Sequence, residues 1–198
     1  MFKARVERIA ADTAGVSLLE FALLFPVFIT ILMAGLDLGL GYYAKVVLTS
    51  EMTRAGRSSG LDMNSGEASQ GDVDARVRNA VQQIAGNATV TFTRKAYHNY
   101  QLAESKAETL FDLNGNNKCD ALETYLDANN NGSWDTDSGI GGQGGGKDVV
   151  IYSATATYAR LFPMMALLGW GDTVTLKATT VLRNQPYADQ AEPTVRSC

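Results

Sequence analysis

Two short polar units follow each other in the middle of the chain. They begin at Asp112 and Asp127, and oxygen-bearing side chains occupy positions 1, 3, 5 and 9 of each unit. Calcium takes about six to eight oxygen ligands, and a tight loop can turn alternate side chains toward one point, so this spacing predicts a calcium site. The predicted ligands are Asp112, Asn114, Asn116, the Lys118 carbonyl, Asp120 and Glu123 in the first unit, and Asp127, Asn129, Asn131, the Ser133 carbonyl, Asp135 and Asp137 in the second.

The two units differ at the position that closes a calcium loop. Glu123 stands at position 12 of the first unit, where loops of the EF-hand type place a bidentate carboxylate. The second unit has Ser138 there, so Asp137 is the predicted substitute. A flexible asparagine- and glycine-rich surface loop is the alternative, because these residues form turns in any case. Two units in register favour one or two structural calcium ions.

Both units lie in an acidic insertion at about residues 99–147. Between Glu104 and Asp137 there are eight acids and two bases, a local charge of −6 against −4 for the whole chain. Few of these residues are apolar, so we expect a bound ion, rather than a core, to order the insertion.

The chain has two cysteines, Cys119 and Cys198. In an oxidising compartment they predict a disulfide that would hold the C-terminus on the first calcium unit. Two free thiols are the alternative, because the sequence does not give the distance between the two residues.

Other sequence signals do not indicate catalysis or nucleic-acid binding. The run Gly141–Lys147 imitates a phosphate-binding loop, but Asp148 replaces the required hydroxyl residue and a strand follows, so we expect no nucleotide. His98 is the single histidine, which disfavours a histidine-based catalytic triad and a histidine-rich metal site. A net charge of −4 disfavours nucleic acid as a partner.

The longest apolar segment of the chain is residues 16–36. As a helix it would be about 31 Å long, enough to cross the hydrocarbon core of a bilayer. Basic residues precede it at Lys3, Arg5 and Arg8, whereas the first one after it is Lys45. This asymmetry predicts a single-pass protein of the bacterial inner membrane, with residues 1–15 in the cytoplasm and the remainder in the periplasm.

A glycine and a glutamate mark the start of this apolar segment. Gly15 precedes it, and Glu20 is its only charged residue. A carboxylate inside a membrane span costs about 2.5–3.5 kcal/mol, a cost that a paired ammonium group can offset. The arrangement resembles the processing site of type IV pilins, in which cleavage after the glycine frees an amine that a neighbouring subunit's glutamate can neutralise. This resemblance predicts a processing site at Gly15, Val16, Glu20 and Phe21.

Residues 15–28, together with Gly35–Gly39 and Ala55–Arg57, resemble the TadE-like minor pseudopilins of the tight adherence (Flp) pilus system. The resemblance implies processing after Gly15 by a prepilin peptidase and membrane insertion. It also implies pilus assembly with other minor pseudopilins and the Flp pilin, and no catalytic activity. A mature chain starting at Val16 would lose only the short leader, and its remaining size favours a minor subunit over the short major pilin.

The predicted fold is α+β and pilin-like in outline. The predicted division is a cytoplasmic leader at residues 1–15, a transmembrane and extended helix at residues 16–57, and a periplasmic domain at residues 58–198. A stripe at Val73, Val77, Val81 and Ile84 predicts a short amphipathic helix. Alternating, β-branched segments at about 88–95, 148–158 and 172–183 predict a small antiparallel sheet of about three strands. The apolar stretch 161–170 is expected to form a loop or short helix at the end of the sheet.

A membrane-anchored calcium-binding adhesin or surface-display module, never processed, is the second functional hypothesis. It would use the acidic insertion for binding and the apolar helix only as a tether. Cleavage after Gly15 and the effect of replacing Glu20 distinguish the two hypotheses.

Overall fold

A computed structural model describes residues 14–61, 67–162, 169, 171–185 and 190–198. The architecture is α+β, as the sequence predicts. The helices are α1 (Ala14–Leu61), α2 (Glu67–Gln82) and α3 (Tyr100–Ser105), and the strands are β1 (Thr89–Tyr97), β2 (Leu110–Phe111), β3 (Thr124–Asp127), β4 (Ile140–Gly141), β5 (Val149–Ala159), β6 (Thr173–Arg183) and β7 (Thr194–Ser197). Two antiparallel sheets have the strand orders β4-β1-β5-β6 and β2-β3-β7.

Helix α1 is 48 residues long and contains the apolar segment. Its most apolar 18-residue window has a mean hydropathy of 2.3, and none of that window is buried. By length and composition it is a helix that could cross a membrane. The helix continues through Pro26, which has no N–H to donate to the carbonyl of Ala22. The Thr30 hydroxyl donates to the Pro26 carbonyl at 2.7 Å.

The chain divides into two compact units, of which the first comprises Met1–Tyr42 and Arg160–Asp172. Within it, the buried Asp37 carboxylate accepts a hydrogen bond from the Arg160 guanidinium. Arg160 Nε also donates to the Gly171 carbonyl at 2.8 Å. The ion pair therefore joins helix α1 to the connection between β5 and β6. Of that connection, residues 163–168 and 170, most of the apolar stretch 161–170, lie outside the described residues.

The second unit, Tyr43–Ala159 with Thr173–Cys198, contains the main hydrophobic core. Alternate side chains of the central strand β5 are buried, as expected for a sheet with one covered face. The predicted stripe of α2 is part of this core, with Val73, Val77 and Val81 buried and Ile84 packed against it. The later part of α1 contributes Ala44, Leu48, Met52 and Ala55.

A polar network connects α2 to the sheet. Arg94 of β1 donates two hydrogen bonds to the Asp74 carboxylate, at 3.0 and 2.5 Å, and the Tyr152 hydroxyl donates to the same carboxylate. The Arg94 guanidinium carbon also lies 4.1 Å from the centre of the Tyr152 ring. Burial, together with the hydrogen bond to Asp74, raises the pKa of Tyr152. These interactions satisfy polar groups that the packing of α2 on the sheet removes from water.

The second sheet, β2-β3-β7, was not predicted from the sequence. Strand β3 lies in the acidic insertion, and its outer partner β7 comes from the C-terminal end of the described chain. Tyr125 of β3 is buried. The insertion is thus ordered partly by strand pairing. Strands of two to four residues are too short to show a period-2 pattern.

Candidate functional site

The predicted processing segment lies in the first turns of helix α1. Gly15, Val16, Glu20 and Phe21 are all exposed. A Cβ on Gly15 would meet no described atom within 4 Å apart from its chain neighbours and the backbone of its own helix. The Phe21 and Phe25 rings pack at 5.4 Å on one side of the helix. Within the described residues, Glu20 has no ion-pair partner.

The first polar unit folds as a tight loop around the Asp112 carboxylate. Asp112 Oδ1 accepts from the backbone N–H groups of Asn114 at 3.1 Å and Gly115 at 2.7 Å, and Oδ2 accepts from Asn117 N–H at 2.7 Å. Gly115 and Asn117 have φ of 77° and 57°. Glycine and asparagine tolerate this left-handed geometry, so these residue types allow the chain to wrap around the carboxylate.

The other side chains of this loop converge on Asp120. The amide Nδ2 groups of Asn114 and Asn116 donate to Asp120 Oδ2 at 3.0 and 2.6 Å. These two hydrogen bonds lower the pKa of Asp120, and the backbone hydrogen bond from Asn117, with others, lowers the pKa of Asp112. Both carboxylates are therefore held in the charged form that a cation requires. Flipping either amide about its Cβ–Cγ bond exchanges its nitrogen for its oxygen, so the same side chains can present oxygens to a metal ion.

The second polar unit repeats this geometry. Asp127 Oδ2 accepts from Gly132 N–H at 2.9 Å, as Asp112 Oδ2 accepts from Asn117 N–H in the first loop. Asp127 Oδ1 accepts from Asn131 N–H at 3.1 Å. The amides of Asn129 and Asn131 donate to Asp135 Oδ2 at 2.9 and 2.6 Å. The N–H groups of Lys118 and Ser133 also have equivalent acceptors, the Oδ1 atoms of Asn116 and Asn131, at 2.8 and 2.7 Å. The repeat seen in the sequence is therefore a repeat in structure.

In each loop, one glutamate carboxylate accepts hydrogen bonds from the backbone N–H groups at positions 2 and 9 and so holds these two positions together. We call this residue the brace of the loop. Glu123 accepts from the N–H groups of Leu113 at 3.0 Å and Asp120 at 3.1 Å. In the second loop the equivalent residue is Glu108, which accepts from Ala128 at 2.8 Å and Asp135 at 3.1 Å.

Sequence reasoning missed Glu108, although a signal for it exists. The segment Glu108–Asp112 reads Glu-Thr-Leu-Phe-Asp, and Glu123–Asp127 reads Glu-Thr-Tyr-Leu-Asp, so the repeat begins four residues before each aspartate. Each glutamate precedes one loop, and Glu123 also follows the first. The second loop is thus closed by a residue that precedes both loops.

Asp137, the predicted closing ligand of the second loop, lies elsewhere. Its carboxylate accepts from the Tyr97 hydroxyl at 3.0 Å and from Gly139 N–H at 3.1 Å, and it pairs with Lys95. Burial raises the pKa of Asp137, but the hydrogen bonds from Lys95 and Tyr97 outweigh it, so the pKa is lowered overall. Asp137 therefore fastens the end of the insertion to β1 and does not join the loop.

The two loops differ in their charge surroundings. Arg196 Nε lies 2.6 Å from Oδ2 of the fully buried Asp127, whereas no arginine or lysine forms an ion pair with Asp112 among the described residues. No group of three or more His, Cys, Asp or Glu side chains is placed to hold a metal ion in the described part of the chain. Any calcium ion would therefore depend on amide and carbonyl oxygens beside one or two carboxylates.

A disulfide joins Cys119, within the first loop, to Cys198 at the C-terminus, with a Cα–Cα distance of 5.3 Å. Cys198 N–H donates to the Glu123 carbonyl at 3.0 Å. Strand β7, which includes Arg196, pairs with β3 between the two loops. The C-terminal segment therefore contacts the first loop covalently and the second through Arg196.

In the described part of the chain, these features are one helix that could cross a membrane and an α+β unit with two polar loops, each held by a buried glutamate. Comparison with known families adds a match at the N-terminal end. The family model described as TadE, TadE-like protein, matches residues 15–56. The resemblance to this family is thereby confirmed for helix α1 from Gly15 to Gly56. No curated protein and no solved structure matches the chain.

Proposed function

We propose that the chain is a non-catalytic minor pseudopilin, processed after Gly15 by a prepilin peptidase, that takes part in assembly of a tight adherence (Flp) pilus. The observation that carries the proposal is the TadE-like match, which begins at Gly15 and spans the apolar helix. This match suggests involvement in pilus assembly. The remaining partners would be other minor pseudopilins and the Flp pilin. The N-terminus would face the cytoplasm and the domain that follows the helix would lie in the periplasm.

Glu20 gives this proposal a physical mechanism. It is exposed on an apolar helix and has no ion-pair partner among the described residues. Cleavage after Gly15 would create an ammonium group at Val16. Each charge alone is costly in an apolar helix bundle, whereas the pair is tolerated, so the pair would fix the register between neighbouring subunits.

Replacement of Glu20 tests this mechanism. In a strain lacking the chromosomal copy, Glu20→Ala and Glu20→Gln are expected to reduce surface pili, because neither side chain can neutralise the amine. Membrane insertion should be unaffected or improved. Glu51→Ala is the matched control on the same helix, since its pair at 3.0 Å is with Arg54, whose side chain is three-quarters exposed, and such a pair contributes little. Normal piliation in both Glu20 variants would contradict the proposal.

The acidic insertion would bind one or two calcium ions in a structural role. In the first loop Asp112, Asn114, Asn116, Asp120 and the Lys118 carbonyl would supply oxygens, with Glu123 as the brace. The convergence of two amide groups on Asp120 supports this assignment. Because Arg196 already neutralises Asp127, the first loop would bind more tightly than the second.

An unprocessed membrane-anchored calcium-binding adhesin or surface-display module is the second candidate function. Its support is the pair of polar loops together with the disulfide that links the C-terminus to the first loop, because disulfides are typical of exported proteins. In that case Glu20 would be dispensable for pili, and removal of calcium would abolish attachment of cells to surfaces while the apolar helix remained a simple tether.

A further inference from the structure

Strand β6 forms one edge of the four-stranded sheet and is 11 residues long. On one side it pairs with β5 along its whole length, and on the other no strand of the described residues pairs with it. An edge strand presents a row of backbone N–H and C=O groups that can pair with another chain. Most natural edges are short or covered, so a long one suggests a binding function.

The register of β6 shows which of its backbone groups point outward. Asn184 N–H donates to the Asp148 carbonyl at 2.9 Å, and this pair continues the β5–β6 register in which Val149 lies opposite Arg183. Hydrogen-bonded and non-hydrogen-bonded pairs alternate in an antiparallel ladder. The residues whose N–H and C=O groups point away from β5 are therefore Thr173, Thr175, Lys177, Thr179, Val181 and Arg183.

A lysine from helix α1 already occupies one of these outward groups. Lys45 Nζ donates to the carbonyl of Lys177, near the middle of the strand. This side chain covers the centre of the edge. The C-terminal half, Thr179–Arg183, lies beyond it, and no strand of the described part of the chain pairs with its outward N–H and C=O groups.

A groove of about 480 Å³ lies beside this C-terminal half. Helix α1 and strand β6 approach closely there, since a Cβ on Gly56 would lie 3.0 Å from Thr180 Cγ2. Arg57 and Arg183 line the groove, and no acidic residue lies among its described lining residues. Neither arginine forms an ion pair within the described residues. The groove is therefore basic, although the whole chain has a net charge of −4. Its lining residues are Thr53, Gly56, Arg57, Thr180–Arg183 and Gln185.

We propose that this free edge and groove bind an extended acidic segment of a partner polypeptide. The segment would add to the sheet as a strand along Thr179–Arg183 and place a carboxylate between Arg57 and Arg183. Charge complementarity selects this occupant over a second copy of β6. Thr173–Arg183 contains Lys177 and Arg183 and no acid, so two such edges would bring like charges together.

Peptide binding to the full-length chain in detergent micelles tests this proposal. The probes are two fluorescein-labelled peptides of alternating valine and threonine, one with two glutamates and one with two lysines at the same positions. The acidic peptide is expected to bind at least about tenfold more tightly than the basic one, with an affinity that falls as salt rises. Reversing both charges, by Arg57→Glu with Arg183→Glu, should invert this preference.

Proline variants test the strand pairing separately from the charge. Val181→Pro removes an outward N–H without removing a hydrogen bond to β5, and should weaken binding of the acidic peptide by at least about tenfold. Thr175→Pro is the matched control, because it removes an outward N–H on the other side of Lys177 and should leave binding within about twofold. Circular dichroism and the thermal midpoint establish that each variant is folded.

Equal binding of the two peptides would overturn the proposal, and so would unchanged binding of the acidic peptide by a folded Val181→Pro variant. A homodimer that Val181→Pro dissociates would also overturn it, because the edge would then bind a second copy of the chain. The proposal goes beyond the pseudopilin function and does not require cleavage after Gly15. A Gly15→Leu variant should therefore bind the acidic peptide normally, so failure of the processing prediction and failure of this one are distinguishable.

Discussion

Glu108 and Glu123 occupy equivalent positions of the repeat and brace two successive loops in the same way. Each carboxylate accepts backbone hydrogen bonds from positions 2 and 9 of its loop, at 2.8 and 3.1 Å for Glu108 and at 3.0 and 3.1 Å for Glu123. Both residues are buried. Burial raises the pKa of Glu108, although the hydrogen bonds from Ala128 and Asp135 act in the opposite direction. The loops therefore depend on glutamates that need not themselves contact an ion.

Replacing these two glutamates should weaken calcium binding to different extents. Glu123→Gln loosens the first loop, which no arginine neutralises among the described residues, and should remove most of the calcium-induced rise in thermal midpoint. Glu108→Gln should remove a smaller part. At a free calcium concentration of about 100 times Kd, binding stabilises a folded protein by about 2.7 kcal/mol, so the shift is measurable by calorimetry.

Glu104→Gln is the control for this comparison, because Glu104 is exposed in the same insertion. A wild-type protein whose midpoint does not respond to calcium would contradict the calcium assignment. An equal response in the Glu108, Glu123 and Glu104 variants would contradict the bracing role.

Loss of the disulfide should destabilise the second unit. Cys119 and Cys198 are 79 residues apart, and cross-links that close long loops typically contribute about 2–4 kcal/mol. A Cys119→Ser, Cys198→Ser double variant should therefore unfold at lower urea concentration and lose protection of β7 amides in hydrogen exchange. Wild-type protein treated with dithiothreitol should behave like the variant. An unchanged urea midpoint in both samples would show that the C-terminal segment is held without the cross-link.

The network between α2 and the sheet should make a large contribution to stability. Asp74→Ala leaves the Arg94 guanidinium without its carboxylate partner. Removing one partner of a buried ion pair lowers the free energy of unfolding by about 3–5 kcal/mol. We expect a value near the lower limit, because the Arg94 and Asp74 side chains keep about a tenth and a fifth of their exposure. Asp72→Ala, an exposed position on the same helix, should be nearly neutral. Equal urea midpoints for these two variants would contradict the importance of the network.

Tyr97 should make stability fall at alkaline pH. Burial and the hydrogen bond to Asp137 raise the pKa of Tyr97 from 10.0 to about 12. Between these pH values Tyr97 loses its proton in the unfolded chain and retains it in the folded chain. The contribution of Tyr97 to the free energy of unfolding is therefore complete below pH 10.0 and is lost as the pH rises toward about 12. Tyr97→Phe lacks this contribution, so its free energy of unfolding should fall less steeply over the same range.

Urea unfolding at several pH values between these limits measures the slope. Tyr100→Phe is the control, because the Tyr100 side chain is exposed and the variant should keep the slope of the wild type. Tyr152, whose pKa is also raised, is present in all three proteins and cancels in the comparison. Identical slopes for Tyr97→Phe and Tyr100→Phe would contradict the prediction.

The long elements of the fold were predictable because their patterns are long. The apolar segment of α1, the stripe of α2 and the alternation in β1, β5 and β6 each extend over enough residues to define a period. The predicted strand at 172–183, for example, differs from the observed Thr173–Arg183 only at its first residue. Strand β7 was missed because it has four residues and pairs with a strand distant in sequence.

The polar loops were predictable in part. The alternation of oxygen-bearing residues located both loops, because local turns determine where such side chains point. Glu108 was missed because the expected closing residue follows its loop in sequence, whereas this one precedes it, with the whole first loop in between. Asp137 was assigned to the loop from its position alone, and its contacts with Lys95 and Tyr97 depend on tertiary packing.

The N-terminal residue of the membrane-extracted protein tests the central claim most directly. Intact mass and N-terminal sequencing should be compared in strains with and without the prepilin peptidase. The pseudopilin account predicts a chain that begins at Val16 when the peptidase is present and at Met1 when it is absent. A chain that begins at Met1 in both strains would contradict that account and leave the anchored calcium-binding module as the better description.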